Sequence, residues 1–382
     1  MKKLLIYLFA SLLLQLGALI SPVQAQTGDV IPGHILVKFK SSAREDDISA
    51  QLKIHQAQIA RMIKGLDVLV LRVPERYQDA ILTALSKNPF VEYAERDYVA
   101  TALMTPNDPY YIDQWAFPKI RSDVAWDTTL GNSVIVGIVD TGVSKTHPDL
   151  AGKVVARTNF TDSSTDDDMN GHGTHVGGIV AAVTNNSEGV AGGCPGCQLL
   201  SAKVLNDSGS GAYSWVANGI IWAADNNARV INLSLGGSAK STTLENAVKY
   251  AWNHNAVVVA AAGNSGRSSK LYPAAYTNAI AVAATDSQDR KAYFSQYGRW
   301  VDIAAPGVNI YSTWTGDGYT YASGTSMATP EVSAAAALVW STQYGTSSSA
   351  VRNRLESTAD RISGTGYYWS SGRVNAAKAV AP

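Results

Sequence analysis

Three residues whose side chains can together cleave an acyl bond stand far apart in the chain: Asp140, His172 and Ser326. Asp140 ends the apolar run Val136, Gly137, Ile138, Val139 and is followed by Thr141 and Gly142, so a carboxylate stands where a strand gives way to a turn. His172 lies within Asn170, Gly171, His172, Gly173, Thr174, His175, and glycines beside a histidine let another segment approach the ring closely. Ser326 lies within Ser323, Gly324, Thr325, Ser326, Met327, Ala328, Thr329, Pro330, ahead of an alanine-rich stretch. A serine at a helix start has free backbone N–H groups and the positive dipole end beside it, both of which stabilise developing negative charge. Pro330 also denies the first turn one backbone hydrogen bond. Asn264 closes the small-residue run Ala260, Ala261, Ala262, Gly263, and its amide can donate to an oxyanion.

Each residue alone has a plainer reading, Asp140 as a turn former and Ser326 as a helix cap. His172 and His175 are three apart, whereas the helical zinc pattern places its histidines four apart with a Glu between them. Asp140, Thr141, Gly142 and Asp207, Ser208, Gly209 invite comparison with a paired-carboxylate protease. They lie too close in sequence for two duplicated lobes, and that reading leaves His172, Asn264 and Ser326 idle. An esterase of the α/β-hydrolase class needs a second glycine where Ala328 stands. A catalytically dead binding module would have a broken set, and all four positions are intact.

The elements that must position these groups follow from hydrophobic period. Residues 134–139, 199–204, 230–235, 256–261, 279–284 and 301–304 read as strands, several without polar alternation, as expected when both faces are buried. Residues 215–225, 243–252 and 326–344 between them read as helices, which predicts a mostly parallel sheet covered on both faces. In such sheets, sites form where strand ends meet helix starts. Upstream, a strand, helix, strand, strand, helix, strand pattern, with 34–39, 68–73 and 91–98 as strands and 47–55 and 76–85 as helices, suits a small ferredoxin-like α+β unit. The texture changes near residues 100–105, where glycine becomes frequent.

Composition narrows the compartment and the partners. Lys plus Arg equals Asp plus Glu at 31 each, and the charges are scattered, which argues against a nucleic-acid surface. Lys2 and Lys3, an apolar run to Ile20 and the small-residue ending Val23, Gln24, Ala25 read as a signal peptide cleaved after about Ala25. A membrane anchor is the alternative, but the run is barely long enough to span and no second run of about 18 apolar residues follows it. No lipid-bearing cysteine stands at the cleavage point. The two cysteines, Cys194 and Cys197, flank a Pro-Gly turn; an exported chain can pair them, with free thiols the alternative.

The motifs around Asp140, His172, Asn264 and Ser326, in that chain order, resemble those of the subtilisin-like serine proteases over nearly all of residues 105–382. Within that family the chain is most similar to the thermitase group, as in Thr105, Pro106, Asn107, Asp108, Pro109, Tyr110 and in Ser363, Gly364, Thr365, Gly366. The implied fold class is α/β, a subtilisin-like mostly parallel sheet flanked by helices and preceded by a small ferredoxin-like α+β propeptide domain. The implied limits are a signal peptide at 1–25, an inhibitory propeptide at 26–103 and a catalytic domain at 104–382, with self-cleavage after about Leu103. The implied product is a secreted, extracellular, monomeric serine endopeptidase acting on protein and peptide substrates, with its own propeptide as intramolecular inhibitor and no membrane attachment once the signal is removed.

By the same resemblance Ser326 is the nucleophile, His172 the general base and then acid, and Asp140 the group that orients the imidazole; Asn264 and the Ser326 N–H hold the oxyanion. Gly209, Ser210, Gly211 and Ser234, Leu235, Gly236 sandwich an extended peptide, with Ala262 and Gly263 beside them. Tyr213 walls the pocket three residues upstream of the primary one, and Leu271 lies at the base of the primary pocket, where an apolar base favours apolar residues before the scissile bond. Structural Ca2+ is the implied cofactor, held by Asp108, Asp149, Asn186 and the carbonyls of Val183, Glu188 and Val190. For a second calcium site the shortened stretch 159–170 offers Asp162, Asp166, Asp167 and Asp168, which either bind the ion or are solvated. Glu331 departs from the family, which usually has His there. Five residues after the nucleophile, it is expected to point away from Ser326, with an open effect on packing or pKa.

Overall fold

The computed structural model describes residues 30–98 and 105–382; the expected signal peptide and the cleavage point after Leu103 lie outside them. Contacts divide the chain into two units, Met1–Ala102 and Leu103–Pro382.

The first unit contains β1 (Val30–Phe39), α1 (Glu45–Ile54), β2 (Gln58–Ile63), β3 (Val68–Arg72), α2 (Gln78–Ser86) and β4 (Val91–Tyr98). Its antiparallel sheet has the order β2-β3-β1-β4, which is the ferredoxin-like arrangement expected from the element order. Alternation decides which face is covered: Ile35 and Val37 of β1 are buried with Leu69 and Leu71 of β3 and with Ile81 and Leu85 of α2. The Gln78 side chain at the start of α2 accepts the Gly33 N–H (3.0 Å) and donates to the His34 carbonyl (2.7 Å), which ties that helix to β1.

The second unit runs α3 (Ala116–Ile120), α4 (Ser122–Ala125), β5 (Ile135–Asp140), β6 (Val154–Asn159), α5 (His172–Ala181), β7 (Gln198–Lys203) and α6 (Tyr213–Asp225). It continues with β8 (Val230–Leu233), α7 (Thr242–Asn253), β9 (Val257–Ala261), β10 (Ala279–Thr285) and β11 (Ile303–Pro306). Hairpin strands β12 (Ile310–Thr313) and β13 (Tyr319–Ala322) follow, then α8 (Thr325–Trp340), α9 (Ser348–Thr358) and α10 (Ala376–Val380). Seven strands pair in the order β11-β10-β9-β8-β5-β7-β6, every pair parallel.

Both faces of this sheet are dry, which explains the missing alternation. Along β9, Val257 and Val259 join the core beneath α5 and α8, while Val258 and Ala260 join the core beneath α6 and α7. The strand order reverses between β5 and β8, and both strands lead there into candidate site residues, Asp140 on β5 and Ser234 just after β8. Open parallel sheets form their clefts at such a reversal.

The structure adds elements that periodicity did not give. β6 is an edge strand with half-buried residues and Arg157 within it, too polar to read as a buried run. The helix expected over 326–344 stops at Trp340, because the Ser341 and Thr342 hydroxyls turn back onto the Leu338 and Val339 carbonyls (both 2.7 Å). Cys194 and Cys197 form a disulfide with both sulfurs buried, the pairing favoured for an exported chain. Among the described residues no helix is long and apolar enough to cross a membrane.

Candidate active site

Asp140 is fully buried at the C-terminal end of β5, where its Oδ1 accepts the Thr141 N–H (2.7 Å). The same oxygen lies 2.7 Å from Nδ1 of His172, the first residue of α5. A carboxylate only accepts, so the imidazole holds its proton on Nδ1 and presents the Nε2 lone pair on its other side. α5 is rich in glycine, which lowers helix propensity, yet the glycines are what let it fit. A Cβ on Gly173 would collide with the Gly142 carbonyl, and one on Gly178 with the Thr313 hydroxyl. Gly171 has φ +103° and faces the Trp314 ring with no room for a side chain.

Ser326 is in the first turn of α8. Pro330 has no N–H to give to the carbonyl four residues back, and the Ser234 hydroxyl donates to that Ser326 carbonyl instead (2.7 Å). The Ser326 hydroxyl returns the contact to the Ser234 carbonyl (3.0 Å). The cleft segment after β8 is therefore fastened to the start of α8. Asn264 is oriented from the same turn, because its Oδ1 accepts both the N–H and the hydroxyl of Thr325 (2.9 Å each). With its oxygen so held, the amide NH2 is directed away from Thr325, beside Gly324.

Two adjoining cavities share Leu235 and Gly236. One, of about 540 Å³, is lined by His172, Gly209, Ser210, Gly211, Tyr213 and Ser234 among others. The other, of about 360 Å³, is lined by Gly263, Asn264, Leu271, Gln296, Thr325 and Ser326 among others. The two volumes suit a peptide occupying the cleft through several side chains. Ala262 lines neither cavity: it is buried, and its N–H bonds the Val282 carbonyl in the sheet (2.9 Å). A Cβ on Gly236 would meet Leu271 Cδ2 at 2.6 Å and one on Gly263 would meet it at 3.1 Å, so Leu271 lies between the two segments and shortens the second cavity.

Several supporting residues carried no signal as single letters. Thr325 fixes Asn264 and also accepts the Gly263 N–H (3.1 Å). Lys203, fully buried at the end of β7, donates to the Thr141 carbonyl (2.6 Å) and pairs with Asp207 (2.9 Å), linking the turn after Asp140 to the loop that holds Gly209. His175 is buried, its Nε2 on the Thr320 carbonyl (3.1 Å), and burial pushes its pKa down to about 4, so it stays neutral.

The expected calcium residues converge. Asp108 accepts the Asn185 N–H (2.9 Å), and Asp149 accepts the Val190 N–H (2.7 Å) and the Asn186 amide (2.9 Å). Burial, helped by the Asp108 and Glu188 charges and opposed by those hydrogen bonds, raises the Asp149 pKa to about 6. Two acidic side chains held together out of water fit a hard divalent cation. Asn186 departs from a ligand's orientation, since its amide oxygen accepts the Glu188 N–H (3.0 Å). Among the described residues no group of three or more His, Cys, Asp or Glu side chains gathers as a metal cage, and the expected set has only two carboxylates. At the second candidate calcium stretch, Asp166 pairs with Lys145, Asp167 accepts the Lys145 N–H (2.9 Å), and Asp168 is saturated by protein donors. Those three are thus engaged by the protein itself.

Glu331 is fully buried in α8 with both oxygens unpartnered, beside a narrow void lined by Gln114, Trp115, Phe117 and Ile179 among others and by none of the triad candidates. Burial raises its pKa well above the usual carboxylate range, which favours the neutral acid over the carboxylate there.

The model of the subtilase family matches residues 131–376, and that of the fervidolysin N-terminal prodomain matches residues 20–97. The chain is 47% identical over 365 residues to a thermophilic serine proteinase of Bacillus sp. (strain AK1), covering 94% of this chain and 90% of the relative. It is 55% identical over 278 residues to thermitase of Thermoactinomyces vulgaris, covering 72% and 99%. A solved protease from Pseudoalteromonas arctica PAMC 21717 superposes with a TM-score of 0.67 at 34% identity, over 73% of this chain and 99% of that one.

Proposed function

The chain belongs to the subtilase family, a serine endopeptidase with an N-terminal prodomain, and from that premise we propose that Ser326, His172 and Asp140 are its catalytic triad. The carrying observation is the 2.7 Å contact between His172 Nδ1 and buried Asp140, with Ser326 and Asn264 lining the adjoining cavity.

In the proposed reaction the Ser326 hydroxyl leaves the Ser234 carbonyl for His172 Nε2, a rotamer change of picoseconds to nanoseconds. Its oxygen attacks the scissile carbonyl as the proton passes to Nε2. The tetrahedral oxyanion takes hydrogen bonds from the Asn264 amide and the Ser326 N–H, which lies in the first helical turn and lacks a partner within the helix. Collapse gives the proton from Nε2 to the leaving amine and leaves an acyl ester on Ser326. Water deprotonated by His172 then releases the acid and restores the serine.

Gly209, Ser210, Gly211 and Ser234, Leu235, Gly236 bind the substrate backbone as an added strand, and Tyr213 bounds the pocket three residues upstream. Leu271 shortens the primary pocket, which favours apolar residues of modest size before the scissile bond. Digestion of a peptide library by the mature enzyme tests activity and preference together. Cleavage is expected after residues such as Ala and Leu, and Leu271→Gly is expected to raise kcat/KM for Phe at that position by about tenfold or more. A library left intact, or cut best after Lys or Glu, contradicts the reading.

Residues 1–25 are proposed to direct export and residues 26–103 to act as the inhibitory propeptide, leaving a monomeric extracellular enzyme. Asp108, Asp149, Asn186 and the carbonyls of Val183, Glu188 and Val190 are proposed to hold a structural Ca2+, with Asn186 turning its amide oxygen inward. The ion would offset the crowded acidic charge there and brace the loop. With the serine blocked against autolysis, calcium at about 100 times its Kd should stabilise the fold by about 2.7 kcal/mol, a rise of several degrees in Tm, lost in Asp149→Asn. Equal Tm with calcium and with chelator would remove the site.

A further inference from the structure

Asp168 has no part in the reaction just described, yet it is one of the most fully engaged side chains of the site. It is 4% exposed, and its two oxygens accept five hydrogen bonds. Oδ1 takes the N–H groups of Asn170 (3.0 Å) and Gly171 (2.9 Å) and the Thr141 hydroxyl (2.8 Å). Oδ2 takes the N–H (2.8 Å) and the hydroxyl (2.6 Å) of Thr174. The Thr141 hydroxyl in turn accepts the Gly173 N–H (2.9 Å).

These donors come from two places only. Asn170, Gly171 and Thr174 surround His172 at the start of α5, and Thr141 adjoins Asp140 at the end of β5. The segments are in close apposition: Gly142 has φ +106°, and a Cβ there would meet the Asp166 carbonyl at 3.0 Å and the Asp168 nitrogen at 3.2 Å. A neutral Ser or Asn would cap a helix as well as Asp does. This carboxylate is buried, and among the described residues no Lys or Arg pairs with it. Its charge is balanced only by backbone and hydroxyl donors, so that charge is available to a neighbouring imidazolium.

We propose that Asp168 is a positioning residue of the hydrolytic reaction, a second buried carboxylate that locks the helix start bearing His172 to the turn bearing Asp140. This rests on the reading of His172 as the base. The titratable groups around that ring are Asp140 on β5, Asp168 before α5, and His175 one turn on, which burial keeps neutral. The nearby Lys203 ammonium of β7 is turned to the Thr141 carbonyl and Asp207. Burial opposes charging of His172, but the Asp140 charge and hydrogen bond, with the Asp168 charge, outweigh it and raise its pKa. The base must be neutral to act, so activity rises with pH through that pKa. Removing the Asp168 charge lowers the pKa and extends activity to lower pH.

The test is the pH dependence of kcat/KM for Asp168→Asn, made in the full chain and assayed as mature enzyme on a chromogenic peptide with calcium present. The acid limb is expected to move down by several tenths of a pH unit, and the plateau kcat to fall roughly tenfold from looser placement of the ring. An acid limb at the wild-type position overturns the proposal. Should Asp168→Asn not fold, Thr141→Val removes the hydroxyl that links Asp168 to the Gly173 N–H and keeps the charge. It is expected to lower kcat with the acid limb unmoved, and a wild-type kcat overturns the proposal. Asp140→Asn run in parallel separates the two readings. If it keeps wild-type turnover, the triad reading fails; if it collapses while the Asp168→Asn limb stays put, only the Asp168 role fails.

Discussion

Ser326→Ala is expected to lower turnover by about a million-fold while leaving the fold intact. That order of loss was measured on subtilisin, a relative in the same family, and is carried over to this chain. The physical reason is that alanine leaves no atom able to form the acyl ester, so His172 and the oxyanion donors can assist only direct attack by water. What survives is the contribution of binding and the oxyanion donors, about 10³ to 10⁴ over the uncatalysed rate. The structural cost is small. The Ser326 hydroxyl makes one contact, to the Ser234 carbonyl, and the reciprocal bond from the Ser234 hydroxyl to the Ser326 carbonyl needs no side chain at 326. Tm close to wild type with turnover near zero is therefore the expected pair of readings. Activity within a hundredfold of wild type would assign the nucleophile elsewhere.

Asn264→Ala is expected to cost about 10²- to 10³-fold in kcat with KM little changed, again the order found for this donor in subtilisin. In the proposed reaction the amide meets the oxyanion, which exists only beyond the ground state, so its removal is expected to be felt in kcat and not in substrate affinity. The same truncation removes the acceptor for the Thr325 N–H and hydroxyl, which weakens the fold by roughly 1 to 3 kcal/mol for each donor left buried and unpaired. The Thr325 hydroxyl keeps its bond from the Gly263 N–H, which limits the damage. Steady-state kinetics on one peptide series, with Tm measured alongside, separates the two effects. Unchanged kcat, or a loss confined to KM, would take Asn264 out of the oxyanion hole.

How much of this was readable from sequence depended on whether a residue's role is local. Asp140, His172, Asn264 and Ser326 each sit at a junction with its own pattern, and Asp140 and Ser326 lie at the predicted strand end and helix start. Strands β5 and β7 to β11 were legible because burial on both faces writes a mostly apolar run without polar alternation, broken only at single buried polar residues such as Ser201, Lys203 and Asn232. α5 was not legible as a helix, since its glycines answer to the Gly142 carbonyl and the Thr313 hydroxyl, contacts made across long sequence distances. Edge strand β6 and hairpin β12-β13 are short and half-polar, so they carry little period.

Acidic residues were the hardest to read. Asp166, Asp167 and Asp168 look alike as letters, yet one pairs with Lys145, one takes backbone N–H groups, and one is buried between the turn after Asp140 and the helix start at His172. Glu331 stood out as an unusual residue, but only the packing of α8 shows it fully buried without a hydrogen-bond partner, where burial raises its pKa. Leu271 was expected as the apolar base of a pocket; its approach to Gly236 and Gly263 adds that the pocket is short.

The most direct measurement follows the size and N-terminus of two precursors expressed side by side, the full 382-residue chain and its Ser326→Ala variant. The account predicts that the wild type sheds its prodomain and yields a mature species in the medium beginning at about Met104, while the variant keeps residues 26–103 attached. A variant processed as fast as the wild type, or a mature chain that starts beyond residue 110, would contradict it.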